Sequence, residues 1–352
     1  MKKIDLINEI KLPQYDFLKT DVHLNNNIIL LGLGGSRAYG VETSTSDWDW
    51  RGVASNSYKE ILLGQDFEQV VDKTTDTTIY SIKKFVNLLI SNNPNILEIC
   101  GNKPEHIIYM NEIGQELIEN KSMFLSRKAI GSFKGYALAQ LHRLENALCH
   151  DTYSEEQQLA HIKNAMDRAI ISFNGRYEHF KEGMITIDNN TKDILINCDI
   201  NDMPLGEYNG IINELKEILK TYNKLNARNN KKDEYHLSKH IMHIFRLLYM
   251  YIDIAKDMDI ITYREKEQEY LLSIKNGLFL KEDGSLRKEF YDAYSELEKE
   301  VDYVTKHTIL PEHPDYARIE DFLMSSNMAT VLKQYNTTEK LLNRIIGEHK
   351  YE

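Results

Sequence analysis

Cysteine is scarce in this chain, with three among 352 residues: Cys100, Cys149 and Cys198. Their odd number and scatter make no disulfide framework and no metal-ligand spacing, so a reducing, cytoplasmic setting is expected. Basic residues are outnumbered, 43 Lys and Arg against 54 Asp and Glu, for a formal charge of −11 and a pI near 5.6. That excludes a generally basic nucleic-acid coat; any RNA or DNA bound must be held by a local patch. No apolar run reaches membrane-spanning length, so no membrane partner is expected. The opening MKKIDLINEI turns acidic after two lysines and does not read as a signal peptide. Internal repeats and low-complexity segments are missing too. What remains, 42% hydrophobic and 28% charged, is an ordinary globular composition, long enough for two domains.

One stretch organises the rest: Leu31 to Val53, reading LGLGGSRAYGVETSTSDWDWRGV. An apolar run from Asn27 to Leu31 breaks at Gly32, Gly34, Gly35 and Ser36, and an alternating run follows from Asp47 to Val53. If that run is a strand, Asp47, Asp49 and Arg51 share one face and Trp48 and Trp50 the other. Two carboxylates so close repel unless a cation lies between them. Magnesium accepts such ligands and completes its shell with water and substrate phosphates. Gly34 and Gly35 allow a tight turn with close backbone approach. A helix starting near Ser36 would aim its unsatisfied N–H groups at a phosphate. A phosphate cradle with paired acids about ten residues on suggests chemistry on a nucleoside triphosphate. A dinucleotide fingerprint is a poor fit, because the sixth motif position counted from Gly32 is Arg37 rather than glycine. A plain hairpin with exposed aspartates is the bland alternative, and it leaves the alternation of two acids with two tryptophans unexplained.

Gly34-Gly35-Ser36 followed by Asp47-x-Asp49 resembles the signature of the DNA polymerase β-type nucleotidyltransferase superfamily. The longer runs, Gly35-Ser36-Arg37-Ala38-Tyr39-Gly40 and Ser46-Asp47-x-Asp49-x-Arg51-Gly52, resemble its branch of predicted RNA-repair-pathway nucleotidyltransferases. The resemblance implies an α+β fold: a small mixed-sheet nucleotidyltransferase core over residues 1–105, then a mainly helical domain over 106–352 that completes the nucleotide and acceptor site. It covers roughly the first hundred residues well and is patchy beyond.

Along the chain, 1–26 has a weak helical pattern and is expected to pack on the first strand. Ile61 to Leu63 and Phe67 to Val71 read as short strand-like pieces, and Asp76 to Tyr80 as a β-branched strand. Helical spacing begins at Ser81, and Asn93-Pro94 reads as a helix start. Residues 105–183 read as helical, with segments from Phe133 to about Cys149 and over 154–182. Ile185 to Ile187 and Ile194 to Ile196 flank a turn and suggest a hairpin. A helix over 207–222, a polar loop with a basic cluster over 223–234, and helices over 263–308, 317–330 and 338–348 complete the reading. Between Tyr235 and Asp253, Ile241, Ile244, Phe245, Leu248 and Ile252 make an apolar face, with Lys239, His243 and Arg246 stacked opposite. Three potential cations in a stripe suit a triphosphate or a nucleic-acid backbone, although an exposed basic stripe is common. Lys239-His240-x-x-His243-x-x-Arg246-Leu247 also resembles an element of the same family's helical domain.

The resemblance implies the following site. Asp47 and Asp49 hold two Mg²⁺ ions, or Mn²⁺ in their place. Asp76 is the third carboxylate and helps orient the acceptor hydroxyl, with Asp72 its rival. Glu98, in the family-like phrase Asn93 to Glu98, either lines the site or answers the helix dipole. Gly35 and Ser36 grip the β and γ phosphates of an NTP, while Arg37, Arg51, Lys239 and Arg246 neutralise phosphate charge. His243 stands beside them, or packs as a neutral ring between helices. The expected reaction moves an NMP from an NTP (ATP among the candidates) to an acceptor hydroxyl, an RNA or tRNA 3′ end first. Protein or small-molecule acceptors, as in antitoxin-like and antibiotic-modifying relatives, and a catalytically silent nucleotide-binding protein are the alternatives.

Overall fold

The computed structural model describes residues 3–44, 46–152, 177, 185–188, 194–197, 201–213, 216, 234–282 and 284–348. The chain is α+β, as expected: a five-stranded mixed sheet near the N-terminus, then mainly helix.

The strands are β1 (Ile28–Leu33), β2 (Trp50–Ala54), β3 (Gln69–Asp72), β4 (Thr77–Ser81) and β5 (Ile107–Met110), in the order β3-β4-β2-β1-β5. β1 runs antiparallel to β2 and β5, β3 antiparallel to β4, and β2 parallel to β4 with Trp50 opposite Thr77. β1 reads as a continuous apolar run because both its faces are covered; Ile29, Leu30, Leu31 and Leu33 are all buried. The crossover from β4 is α5 (Ile82–Ile90), whose Phe85, Val86 and Leu89 enter the core. Ser81 caps it, accepting from Lys84 N–H at 3.1 Å. α6 (Pro94–Cys100) follows, with Asn93 as N-cap and Pro94 in its first turn.

The N-terminal helix α1 (Lys3–Ile10) packs against β5. After it come α2 (Phe17–Thr20) and α3 (Gly35–Tyr39), the latter at the glycine bend. Residues 58–63, read as partly strand-like, form the helix α4 (Tyr58–Leu63) instead. A capping box decides the matter: Ser57 accepts from Glu60 N–H at 3.3 Å and Glu60 from Ser57 N–H at 2.7 Å. That reciprocal pair outweighs the apolar run of Ile61 to Leu63. The second departure is β5, which lies in a region expected to be helical throughout. Its edge pairing with β1 is a long-range contact that local periodicity cannot report.

The chain divides into two compact units, one of 1–139, 242–275 and 289–352, the other of 140–241 and 276–288. The boundary expected near residue 105 falls inside the first. Besides the sheet, the first unit holds α7 (Glu112–Glu119), the first half of α8 (Lys128–Thr152) and most of α9 (Glu234–Asp257). α10 (Gln268–Lys275), α11 (Lys288–Lys306) and α12 (Tyr316–Glu348) follow in it. α12 is one helix where two were expected, because the stretch between Thr330 and Thr338 contains neither glycine nor proline to break it.

The second unit contains the antiparallel hairpin of β6 (Ile185–Ile187) and β7 (Ile194–Ile196), as expected. It also contains a helical stretch over 205–213. A turn follows α10, with Gly277 and Gly284 at positive φ. Within this unit His240 Nδ1 meets Gln140 Oε1 at 2.9 Å, joining the middle of α8 to the first half of α9. Apart from Tyr177, the helix expected over 154–182 lies outside the described residues, as does the loop expected over 223–234 up to residue 233.

Candidate active site

β1 ends at Leu33, and the chain turns through Gly34 and Gly35 into α3. Gly35 has φ +58°, a left-handed conformation natural to glycine. A Cβ on it would come within 2.7 Å of Asp49 Cγ and closer still to Asp49 Oδ2. On Gly34 a Cβ would meet Arg51 Cγ at 2.8 Å. The bend is therefore roofed by the side chains of Asp49 and Arg51, two residues apart and on one face. Trp48 and Trp50, the alternating partners, stack in parallel with centroids 6.0 Å apart.

The ladder itself starts only at Trp50. Asp47 and Asp49 lie in the extended segment before β2 rather than within it. Gly34 N–H donates to Asp49 C=O at 2.8 Å, prolonging the β1–β2 pairing to the bend. Arg37, on α3, donates from Nε to Asp47 C=O at 3.1 Å and from a terminal nitrogen to Ser46 C=O at 2.7 Å. Its guanidinium lies 4.0 Å from the Trp48 ring centroid. Ser36 is in the first turn of α3, half-buried beside the bend.

Asp76 precedes β4 as Asp49 precedes β2. Trp50 pairs with Thr77 in the parallel register, so the two acids open neighbouring strands, about 4.8 Å apart in a sheet. Asp76 has φ +44° and is exposed. Arg51 reaches it twice, through an ion pair to Oδ1 at 3.2 Å and through a hydrogen bond to its backbone carbonyl. The rival Asp72 is occupied locally: its Oδ1 accepts from Thr75 N–H at 2.8 Å and from the Thr75 hydroxyl at 2.9 Å, capping the β3–β4 turn. Among the described residues, no three His, Cys, Asp or Glu side chains come together as a ready-made metal cluster.

Glu98 is buried on α6 and answers neither helix dipole nor solvent. It accepts a hydrogen bond from the Tyr39 hydroxyl and pairs with Arg246. Arg246 is itself 4% exposed, with its guanidinium carbon 3.8 Å over the Tyr39 ring. The basic stripe is thus not laid out as the helical wheel suggests. α9 is buried almost all round from Met242 to Ala255, and Arg246 can lie inside because Glu98 neutralises it. Burial lowers the Arg246 pKa, but Glu98 and then Tyr39 outweigh it, and the guanidinium is held above its ordinary value. The Tyr39 hydroxyl is pushed up, chiefly by burial. His243 meets Tyr39 edge-on at 6.5 Å. Lys239 is exposed on the part of α9 that belongs to the second unit.

Asp47, Asp49, Asp76, Gly35, Ser36, Arg37 and Arg51 therefore gather around one bend, with Arg246 and His243 behind it on Tyr39. Tyr39 was not singled out in the sequence, although its place at the end of the GSRAY phrase was a usable signal.

No curated protein and no solved structure matches this chain significantly. Residues 14–165, less than half of the chain, match the model of the RNA repair pathway DNA polymerase beta family. The segment that builds the glycine bend, the acid pair and Asp76 is therefore similar to the polymerase β-type nucleotidyltransferases of an RNA repair pathway.

Proposed function

We propose that the protein is a metal-dependent nucleotidyltransferase that moves an NMP from an NTP to an acceptor hydroxyl, an RNA or tRNA 3′ end being the first candidate. The observation that carries this reading is the seating of the Asp49 carboxylate directly over Gly35, so that acid and phosphate cradle share one site. Magnesium needs only one or two protein carboxylates and takes its other ligands from water and phosphate. Asp47 and Asp49 fit that demand, with Asp76 opening the next strand. Bound there, Mg²⁺ or Mn²⁺ would offset charge on the triphosphate and lower the pKa of the attacking hydroxyl.

The chain's own residues do the rest. Gly35 and Ser36 present backbone N–H and a hydroxyl to the β and γ phosphates. Arg51, beside the bend, supplies positive charge. Asp76 accepts the proton of the attacking hydroxyl as the new bond to the α-phosphorus forms and pyrophosphate departs. Such chemistry rests on positioning and electrostatics, so few groups are needed.

The test is incubation with each labelled NTP and Mg²⁺, with total RNA in one arm and cell protein in the other. Label on RNA supports the first reading, and label on protein moves the acceptor. The net charge of −11 favours that second outcome mildly, since a broad phosphate footprint calls for cations. No label in either arm, with nucleotide still bound, would mark a catalytically silent binder. Asp47→Asn and Asp49→Asn should each abolish transfer with the thermal melt preserved; transfer surviving both changes sinks the assignment.

A further inference from the structure

Arg37 stands where a phosphate-binding cation would be expected, one residue after Ser36. Its hydrogen bonds go elsewhere, to two consecutive backbone carbonyls of the acidic segment, Ser46 and Asp47. A guanidinium is a planar fork suited to such a two-point grip. Its face is taken by Trp48, the residue between the two aspartates. Behind Trp48 lies Trp50, fully buried, and behind that the edge of Tyr15 at 6.3 Å. Trp48 thus contacts both the buried Trp50 ring and the Arg37 guanidinium, linking the cation to the core. On the far side of the segment, Asp49 C=O is held by Gly34 N–H. The carbonyls of both aspartates are therefore fixed by the bend and helix that they face. This matters because Asp47 and Asp49 precede β2, so these contacts do for their backbone what the ladder does for the strand.

We propose that Arg37 is a positioning residue: with Trp48 it clamps the backbone of Asp47 and Asp49 against the glycine bend, and it does not bind the nucleotide's phosphates. The role rests on the metal-dependent reading for its effect on catalysis, but the clamp itself is a property of the protein without metal or nucleotide.

The experiment compares wild type with Arg37→Ala, Arg37→Lys, Trp48→Leu and Trp48→Phe. Amide hydrogen exchange over residues 46–50, measured without metal or nucleotide, is the first readout. Exchange there should quicken in Arg37→Ala and in Trp48→Leu, stay near wild type in Trp48→Phe, and be intermediate in Arg37→Lys, which offers one point of contact. Mn²⁺ binding by EPR, without nucleotide, is the second. It should weaken by about 10-fold or more in Arg37→Ala and Trp48→Leu, the usual cost of losing a group that orients a metal ligand. Where transfer is measurable, kcat should fall while the KM for the NTP moves little.

Unchanged exchange at 46–50 in Arg37→Ala overturns the proposal. So does a rise in NTP KM confined to the Arg37 variants, with Trp48→Leu behaving as wild type, because a direct phosphate contact needs no tryptophan. Should Asp47→Asn and Asp49→Asn both retain transfer while exchange still quickens in Arg37→Ala, the clamp stands and the reading of the reaction falls.

Discussion

Gly35 and Asp49 are so close that the glycine's missing side chain is the space the carboxylate occupies. The left-handed φ of +58° would cost any other residue about 1–2 kcal/mol in any case. Gly35→Ala should therefore lower stability by that amount or more and drive Asp49 off the bend. Thermal melts read the first effect. Transfer rate, or Mn²⁺ binding if no transfer is found, reads the second. An alanine variant with unaltered metal binding would show that Asp49 need not sit there.

Glu98 and Arg246 carry a different expectation. Removing one partner leaves a buried charge uncompensated, so Glu98→Ala should cost about 3–5 kcal/mol. Replacing the two together, Glu98→Gln with Arg246→Met, should cost less than the sum of the single changes. Denaturant melts of the double-mutant cycle measure that coupling, and strict additivity would mean that the two do not form a pair in solution.

Cys100 is 2% exposed, and burial pushes its thiol up to about 12. In a variant carrying Cys149→Ser and Cys198→Ser, the remaining thiol should ignore a disulfide-exchange reagent at pH 8 and react within minutes once denaturant is added. Rapid labelling of the native variant would show that α6 opens.

Glu60 tests acid sensitivity. Its burial favours the neutral acid, but hydrogen bonds from Ser57 and the neighbouring His23 outweigh that and hold its carboxyl below the usual range. A depressed carboxylate stabilises the fold above its ordinary pKa and loses that contribution as pH falls through the folded value. Glu60→Gln keeps the capping geometry without the charge. It should melt below wild type at pH 7, and the gap should close as pH drops below 4. A gap that widens in acid would reverse the assignment.

Much of the site was legible in the sequence because the residues that build it are near neighbours. Gly34, Gly35, Asp47 and Asp49 sit within sixteen positions, and tight turns and period-2 alternation are local properties. The hairpin at 185–196 and the capped starts of α5 and α6 were readable for the same reason. The capping box at Ser57 and Glu60 was equally local and was passed over in favour of three apolar residues. What the sequence could not show was partnership across the chain. β5 exists because β1 is there to pair with it, and Arg246 turns inward because Glu98, 148 positions earlier, is waiting. A helical wheel assigns a face to a charge, but only tertiary context supplies its counter-charge.

The segment 262–275 closes on the loop that leaves α3. Arg264 N–H reaches Tyr39 C=O at 3.2 Å, Gln268 reaches Gly40 C=O at 2.6 Å, and the buried Lys275 reaches Val41 C=O at 2.7 Å. At a pace of about 5–20 residues per second, a ribosome delivers Lys275 tens of seconds or less after Val41 has emerged, and until then the loop lacks its clasp. The stretch that resembles other proteins is thus not the stretch that can mature alone, and a nascent chain stalled before residue 262 would carry every acid of the site on an unfinished floor.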